Sequence, residues 1–181
     1  MTTTEIIRKN LFPNARCVES GAQPYQVLDG QIEWRWNSRS GFLLTSSKDI
    51  GAFAGFDVEG LEPGSEYVLA VEAGWLATTD KARWAIVSVH NASESNPTIV
   101  EDVNGRPPAK QRLLRFTAPQ DGHVHVCFRG PSEVDEKIGF YDIQLELAST
   151  YDAAVSGGGS GSSPGTPCRN CNGIRRAGGA R

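Results

Sequence analysis

The sequence has no long apolar run, since no stretch approaches the ~20 apolar residues that a membrane span requires. The first nine residues contain no apolar segment of the kind found in export signals, so we expect a protein that is neither membrane-bound nor exported by the usual route. Four cysteines in 181 residues are too few for a disulfide scaffold. There is also no Gly-x-Ser-x-Gly elbow, phosphate loop or dinucleotide fingerprint. The sequence therefore predicts a protein that is not an enzyme and that has no cofactor.

Charge is unevenly distributed along the chain. Residues 156–181 hold eight of the 20 glycines, four arginines and no acidic residue. The preceding 155 residues hold 14 basic and 21 acidic residues, which gives a body of charge −7 and a tail of charge +4. The acidic body argues against a nucleic-acid binder. We predict a short N-terminal extension (1–9), one folded domain (10–155), and a flexible Gly/Ser-rich linker with a basic C-terminal arm (156–181).

Short β-rich runs recur through the body at intervals of roughly 10 to 15 residues, and turn signals lie between them. No segment shows an apolar period of 3.6 residues over three turns. This pattern predicts an all-β protein, an antiparallel jelly-roll β-sandwich. The predicted strands are Ile32–Trp36, Gly41–Ser46, Ala52–Val58, Tyr67–Trp75, Trp84–Val89, Arg112–Phe116, Gly122–Phe128 and Ile138–Leu147.

Two of the intervening turns have specific signatures. Pro63 and Gly64 stand at the second and third positions of a predicted type II turn, in which the third residue needs a positive φ. Gly122 ends a second predicted turn and is free to adopt a positive φ.

Four motifs occur in a fixed order along the body: N-L-F-P-N at 10–14, G-L-E-P-G-S-E-Y-V-L at 60–69, F-T-A-P at 116–119 and F-Y-D-I-Q-L-E at 140–146. Together they resemble the carbohydrate-binding-module-like (galactose-binding-like) jelly rolls of bacteriophage tail and other virion proteins. The resemblance covers about residues 10 to 150. The sequence departs from that pattern after Asn14, where the family usually continues with Phe-Glu, and the basic tail is not a feature of the family.

The resemblance implies a non-enzymatic virion structural protein that is assembled in the host cytoplasm. Among such proteins, the resemblance favours a minor tail protein at the tail tip, baseplate or fibre, with a role in attachment to host surface glycan. Its partners would be other virion proteins and its own copies, with no nucleic acid and no membrane. Two alternatives remain: a capsid decoration protein whose arm clamps neighbouring subunits, and a free bacterial carbohydrate-binding module. The resemblance also implies Asp142 as a candidate ligand for a structural calcium.

His123, His125 and Cys127 alternate on one predicted strand and therefore face the same way. The first and last of these lie roughly 13 Å apart at ~3.3 Å per residue, so one tetrahedral ion cannot bind all three. The two histidines could supply two ligands, but the sequence identifies no third. We therefore expect no metal here, with Val124, Val126 and Phe128 facing the core instead.

The remaining candidates are tryptophans and the C-terminal arm. Trp34 and Trp36 share a face with Ile32, which favours core burial, whereas Trp75 and Trp84 border a polar loop and are the predicted sugar-binding residues. In the arm, Cys168 and Cys171 form a CxxC that is idle, a late disulfide, or a zinc-ligand pair completed by other subunits. The residues predicted to anchor the arm in an assembly are Ile174, Arg175, Arg176 and Arg181.

Overall fold

The structure is a computed structural model that describes residues 8–34, 40–75, 85–93, 95–104 and 110–157. Ten strands and one helix lie in these ranges. The strands form two five-stranded sheets in which every pairing is antiparallel. The predicted jelly-roll β-sandwich is confirmed.

The chain alternates between the two sheets, so that strands adjacent in sequence often lie in opposite layers. In spatial order, the first sheet contains β1 (Gln26–Leu28), β4 (Phe53–Val58), β9 (Val124–Arg129), β6 (Ala85–Asn91) and β7 (Thr98–Asn104). The second sheet contains β2 (Gly30–Trp34), β3 (Gly41–Ser46), β10 (Lys137–Leu147), β5 (Glu66–Trp75) and β8 (Lys110–Thr117).

All eight predicted strands are present, with ends displaced by a few residues. The prediction missed β1 and β7, which are edge strands of the first sheet. All three residues of β1 are exposed, and β7 carries Glu, Asp and Asn, which are poor strand formers. Each pairs with a single neighbouring strand, so their extended conformation depends on tertiary contacts rather than on sequence pattern.

The two sheets pack through the alternate side chains of their strands. Phe56 on β4 and Phe128 on β9 face Phe42 on β3 and Phe140 on β10, and all four rings are fully buried. Ring centroids in this group lie 4.9 to 5.9 Å apart. Trp34 packs against the same cluster, with its ring 5.7 Å from Phe42, which confirms its predicted orientation.

The N-L-F-P-N motif fastens the N-terminal segment to β10. The Asn10 side chain donates to the carbonyl of Ile143 at 2.8 Å and accepts from the amide of Leu145 at 2.9 Å. Phe12 enters the core, where its ring lies 5.0 Å from that of Phe56. At the C-terminal end of β10, Arg8 pairs with the buried carboxylate of Glu146. This first motif is thus part of the packed domain.

The second and third motifs also contact each other. The amide of Gly64 donates to the carbonyl of Ala118 at 3.0 Å, and the amide of Ala118 donates to Ser65 at 2.9 Å. Both predicted turns are confirmed, because Gly64 has a φ of 76° and Gly122 has a φ of 65°. At Gly122 a Cβ atom would lie 2.2 Å from the carbonyl oxygen of Leu61, so this position excludes any side chain.

The helix α1 (Ala148–Gly157) follows β10 directly and was not predicted. Ala148 and Tyr151 pack on Val68 and Ala70, which face outward from β5. The helix ends at Gly157, two residues after the domain boundary that composition predicted, and the division into domain and arm stays a prediction. Within the described ranges, no helix has the length and apolar character needed to span a membrane.

We predict that Phe128→Ala will lower the free energy of unfolding by about 3–5 kcal/mol, because it leaves a cavity between the sheets. The matched control is Leu113→Ala, since Leu113 lies on the outer face of β8 and is 50% exposed. The control should change the stability by no more than about 0.5 kcal/mol. Urea denaturation monitored by tryptophan fluorescence checks both values. Equal losses for the two variants would contradict this account of the core.

Candidate functional site

A row of polar side chains crosses the outer face of the first sheet. The strand register places Thr98 of β7 opposite His90 of β6, His90 opposite His125 of β9, and His125 opposite Asp57 of β4. Facing residues on the same side of a sheet have Cβ atoms about 4.5–5.5 Å apart, so these four side chains are neighbours. We call this group, together with His123, Asn96 and Tyr25, the histidine face.

His125 lies at the centre of the histidine face, and both of its ring nitrogens have oxygen neighbours. Its Nδ1 lies 3.0 Å from Oδ1 of Asn96, in the loop between β6 and β7. Its Nε2 lies 3.0 Å from Oδ1 of Asp57. Burial lowers the pKa of His125; Asp57 opposes this effect, and His123 and His90 add to it.

His123 adds a third ligand atom to this pair. Its Nε2 lies 3.4 Å from Oδ1 of Asp57, and ligand atoms of Asp57, His123 and His125 all lie within 4.8 Å of one another. The sequence identified no third ligand for the two histidines, and in the structure Asp57 occupies that position. Asp57 lies 66 residues before His123, so only the pairing of β4 with β9 reveals it.

Tyr25 provides the aromatic ring of the histidine face. It is 40% exposed and stacks on His125 with ring centroids 4.4 Å apart and an angle of 29°. The ring lies over Gly55, where an added Cβ would come within 2.5 Å of it. Burial raises the pKa of Tyr25, and the neighbouring Cys127 acts in the same direction. No sequence signal singled out Tyr25, because the residue precedes a three-residue strand with no alternation.

The ring of Tyr25 also lies beside Cys127, which faces outward from β9 yet is only 2% exposed. Burial raises the pKa of this thiol to about 12, although a hydrogen bond with Tyr25 opposes the effect. Cys17, which is fully buried in the core, has a pKa that burial, with a contribution from Asp142, likewise raises to about 12. The raised pKa of each thiol favours the protonated form, which is the unreactive one.

Among the predicted site residues, Asp142 is the one whose side chain the structure describes. It lies at an irregularity in β10 with a φ of 50°, and its amide donates to Ser40 at 2.7 Å. In the part of the chain that the structure describes, Asp142 belongs to no group of three His, Cys, Asp or Glu side chains close enough to share an ion. Calcium binding at Asp142 stays a prediction.

The other predicted site residues lie outside the described structure, either wholly or in their side chains. Trp75 ends β5 and pairs with Ile138 through its backbone, but its side chain lies outside the described structure. The remaining predicted residues also lie outside the described ranges, namely Trp84, Cys168, Cys171, Ile174, Arg175, Arg176 and Arg181. The histidine face therefore joins His123 and His125, which the sequence places on one face of a strand, to residues of other strands and loops.

No protein-family model and no curated protein matches the sequence. Among solved structures, the chain is similar to a CBM4 protein at 15% identity and a TM-score of 0.49, over 67% of this chain and 77% of the other. It is also similar to the C-terminal family 22 carbohydrate-binding module of Clostridium thermocellum Xyn10B, at 14% identity and a TM-score of 0.48, over 71% and 84% of the chains. A third similarity is to tailspike protein 4 of bacteriophage CBA120, at 16% identity and a TM-score of 0.43, over 59% of this chain and 15% of the other.

We predict that Cys17 and Cys127 will resist alkylation by iodoacetamide at pH 8 in the folded protein. With a pKa of about 12 for each thiol, only about one molecule in 10⁴ carries the reactive thiolate at that pH. Tyr25→Ala should increase labelling of Cys127 and leave Cys17 unchanged, which makes Cys17 an internal control. Peptide mapping by mass spectrometry measures both sites. Rapid labelling of Cys127 in the unsubstituted protein would refute the covering role of Tyr25.

Proposed function

We propose that this protein is a non-catalytic glycan-binding module and that the histidine face is its binding surface. The observation that carries the proposal is the exposed ring of Tyr25, stacked at 4.4 Å on His125 beside the carboxylate of Asp57. An exposed aromatic ring next to hydrogen-bonding side chains is the combination that sugars require. The C–H surface of a pyranose stacks on the ring, and its hydroxyl groups bond to the polar neighbours.

The support given to Tyr25 suits this role. Because Gly55 has no side chain, the ring lies close to the sheet, and stacking on His125 holds its orientation. A ring that is already oriented loses little conformational entropy when a ligand binds. Asp57 is 45% exposed and His123 is 31% exposed, so both are accessible on the outer face that carries Tyr25.

We also propose that the module is a component of a bacteriophage virion, at the tail tip or baseplate. The support is the four ordered motifs, which resemble those of virion jelly rolls. A capsid decoration protein and a free bacterial carbohydrate-binding module are the alternatives. Quantitative mass spectrometry of purified particles, with and without their tails, separates the three: the protein is present in tails, in capsids, or in neither.

The test of glycan binding is Tyr25→Ala on a glycan array, followed by calorimetry with the best ligand. Loss of the stacking ring removes the aromatic contact with the sugar and should weaken binding by about tenfold or more. A tenfold change corresponds to about 1.4 kcal/mol of binding free energy. Tyr25→Phe retains the ring and should retain binding. Gly55→Ala should also weaken binding, because the added Cβ displaces the ring without removing it.

Leu113→Ala serves as the control for these variants, since it changes the outer face of the opposite sheet. Binding that is unaffected by Tyr25→Ala and Gly55→Ala would exclude the histidine face as the glycan site. Absence of any ligand on an array that includes host surface glycans would reject the function itself.

Within the proposed virion role, we predict that Ile174→Asp will lower the number of copies incorporated per particle. Exposed Arg–carboxylate pairs contribute only ~0–1 kcal/mol each, whereas burying Ile174 contributes roughly 1.5–3 kcal/mol. Arg175→Glu combined with Arg176→Glu should act in the same direction. Ser163→Asp is the matched control, because it adds a negative charge without removing the apolar anchor. Wild-type occupancy for both arm variants across a range of salt would show that the arm has no docking role.

A further inference from the structure

We propose that Asp57, His123 and His125 form a binding site for a divalent transition-metal ion of the zinc class. The inference does not depend on glycan binding, and it adds a ligand that neither the fold nor the proposed function requires. The three side chains converge from two strands, with Asp57 on β4, His125 on β9 and His123 directly before β9.

The distances between ligand atoms fit a tetrahedral ion. Two ligand atoms that each lie ~2.0–2.1 Å from a zinc ion are about 3.3 Å apart in tetrahedral geometry. Oδ1 of Asp57 lies 3.0 Å from Nε2 of His125 and 3.4 Å from Nε2 of His123. The ligand atoms of all three residues lie within 4.8 Å of one another, so the remaining pair, His123 and His125, is also close to that separation.

The hydrogen-bond inventory of His125 gives a second argument. A neutral imidazole has one N–H donor and one nitrogen lone pair. The two nitrogens of His125 each face a carbonyl or carboxylate oxygen, on Asn96 and on Asp57 respectively. A neutral ring serves only one of these acceptors, so serving both requires either a second ring proton or a cation at Nε2. A cation between Nε2 and the carboxylate satisfies both, because Nδ1–H then donates to Asn96 while Nε2 and Asp57 bind the ion.

This arrangement also matches the outer-shell contacts of known metal sites. A histidine ligand commonly donates its other ring N–H to an oxygen acceptor, which fixes the tautomer and the orientation of the ring. Asn96 has that position relative to His125. At His123 the main chain is held in place, because its amide donates to Oδ1 of Asp121 at 3.2 Å and the preceding Gly122 fits tightly against Leu61.

The donor set selects the class of ion. Two imidazoles and one carboxylate suit zinc and neighbouring transition metals, whereas calcium takes six to eight oxygen ligands. Three protein ligands leave a fourth tetrahedral position. Asp57 and His123 are 45% and 31% exposed, so this position is open to water or another exogenous ligand.

The experiment is a Zn²⁺ titration of the full chain, without a histidine tag, in competition with a chromophoric chelator. The protein carries Cys168→Ser and Cys171→Ser, so that the CxxC pair cannot contribute ligands. We expect saturable binding of one Zn²⁺ per chain, with no displacement by excess Ca²⁺. Asp57→Asn, His123→Gln and His125→Gln should each abolish it, and Asn96→Ala should weaken it by about 10–100-fold.

Glu101→Gln is the matched control, because Glu101 is an exposed carboxylate on the outer face of the same sheet but lies opposite Ser88, outside the cluster. It should bind Zn²⁺ with unchanged affinity. Co²⁺ substitution gives an independent readout: a visible d–d absorption of tetrahedral intensity without the near-ultraviolet band of thiolate ligands. The proposal is overturned if no stoichiometric binding occurs, or if Asp57→Asn and His123→Gln bind as tightly as the parent protein. If the unsubstituted protein binds Zn²⁺ but no glycan, only the proposed function is rejected.

Discussion

Four phenylalanine rings from opposing sheets fill the space between β4, β9, β3 and β10. Because these rings are buried, they determine which face of the sheet each remaining side chain of these strands occupies. Because strand side chains alternate, Phe56 and Phe128 in the core require Asp57 and Cys127 to face outward. A shift of one residue in β9 would expose Phe128 and bury His125, and the same shift in β4 would expose Phe56 and bury Asp57. The packing of the core thus determines which residues of these strands lie on the outer face.

The motifs that resemble virion jelly rolls contribute to this packing rather than to the histidine face. Asn10 bonds to β10, Gly64 connects the second and third motifs, and Glu146 is buried against Arg8. Such residues maintain the sandwich whatever it binds. The histidine face uses other positions, on β4, on β6, in and directly before β9, and in the adjoining loops. Resemblance in the motifs is consequently informative about fold, while the proposed binding surface is formed by residues outside them.

The two proposed sites share His125, which joins the stacking platform to the cation site. Its ring supports Tyr25 on one face, and its Nε2 points to the carboxylate of Asp57. An ion bound by His125 would restrict the rotation of this ring and therefore of Tyr25. The cation site and the platform are then adjacent parts of one surface, each with its own chemistry. Substitution of Tyr25 separates them, because Tyr25 contributes no metal ligand.

The sequence alone determined the class of fold, because eight alternating or β-rich runs and two turn signatures depend on local patterns of burial and backbone conformation. It also placed His123 and His125 on one side of the predicted strand Gly122–Phe128, which corresponds to β9. Tertiary structure decided the edge strands, the helix that packs on Val68, and the approach of Asp57 and Tyr25 to His125. Those contacts join residues that are distant along the chain, and a single sequence contains no local signal for the register that brings them together.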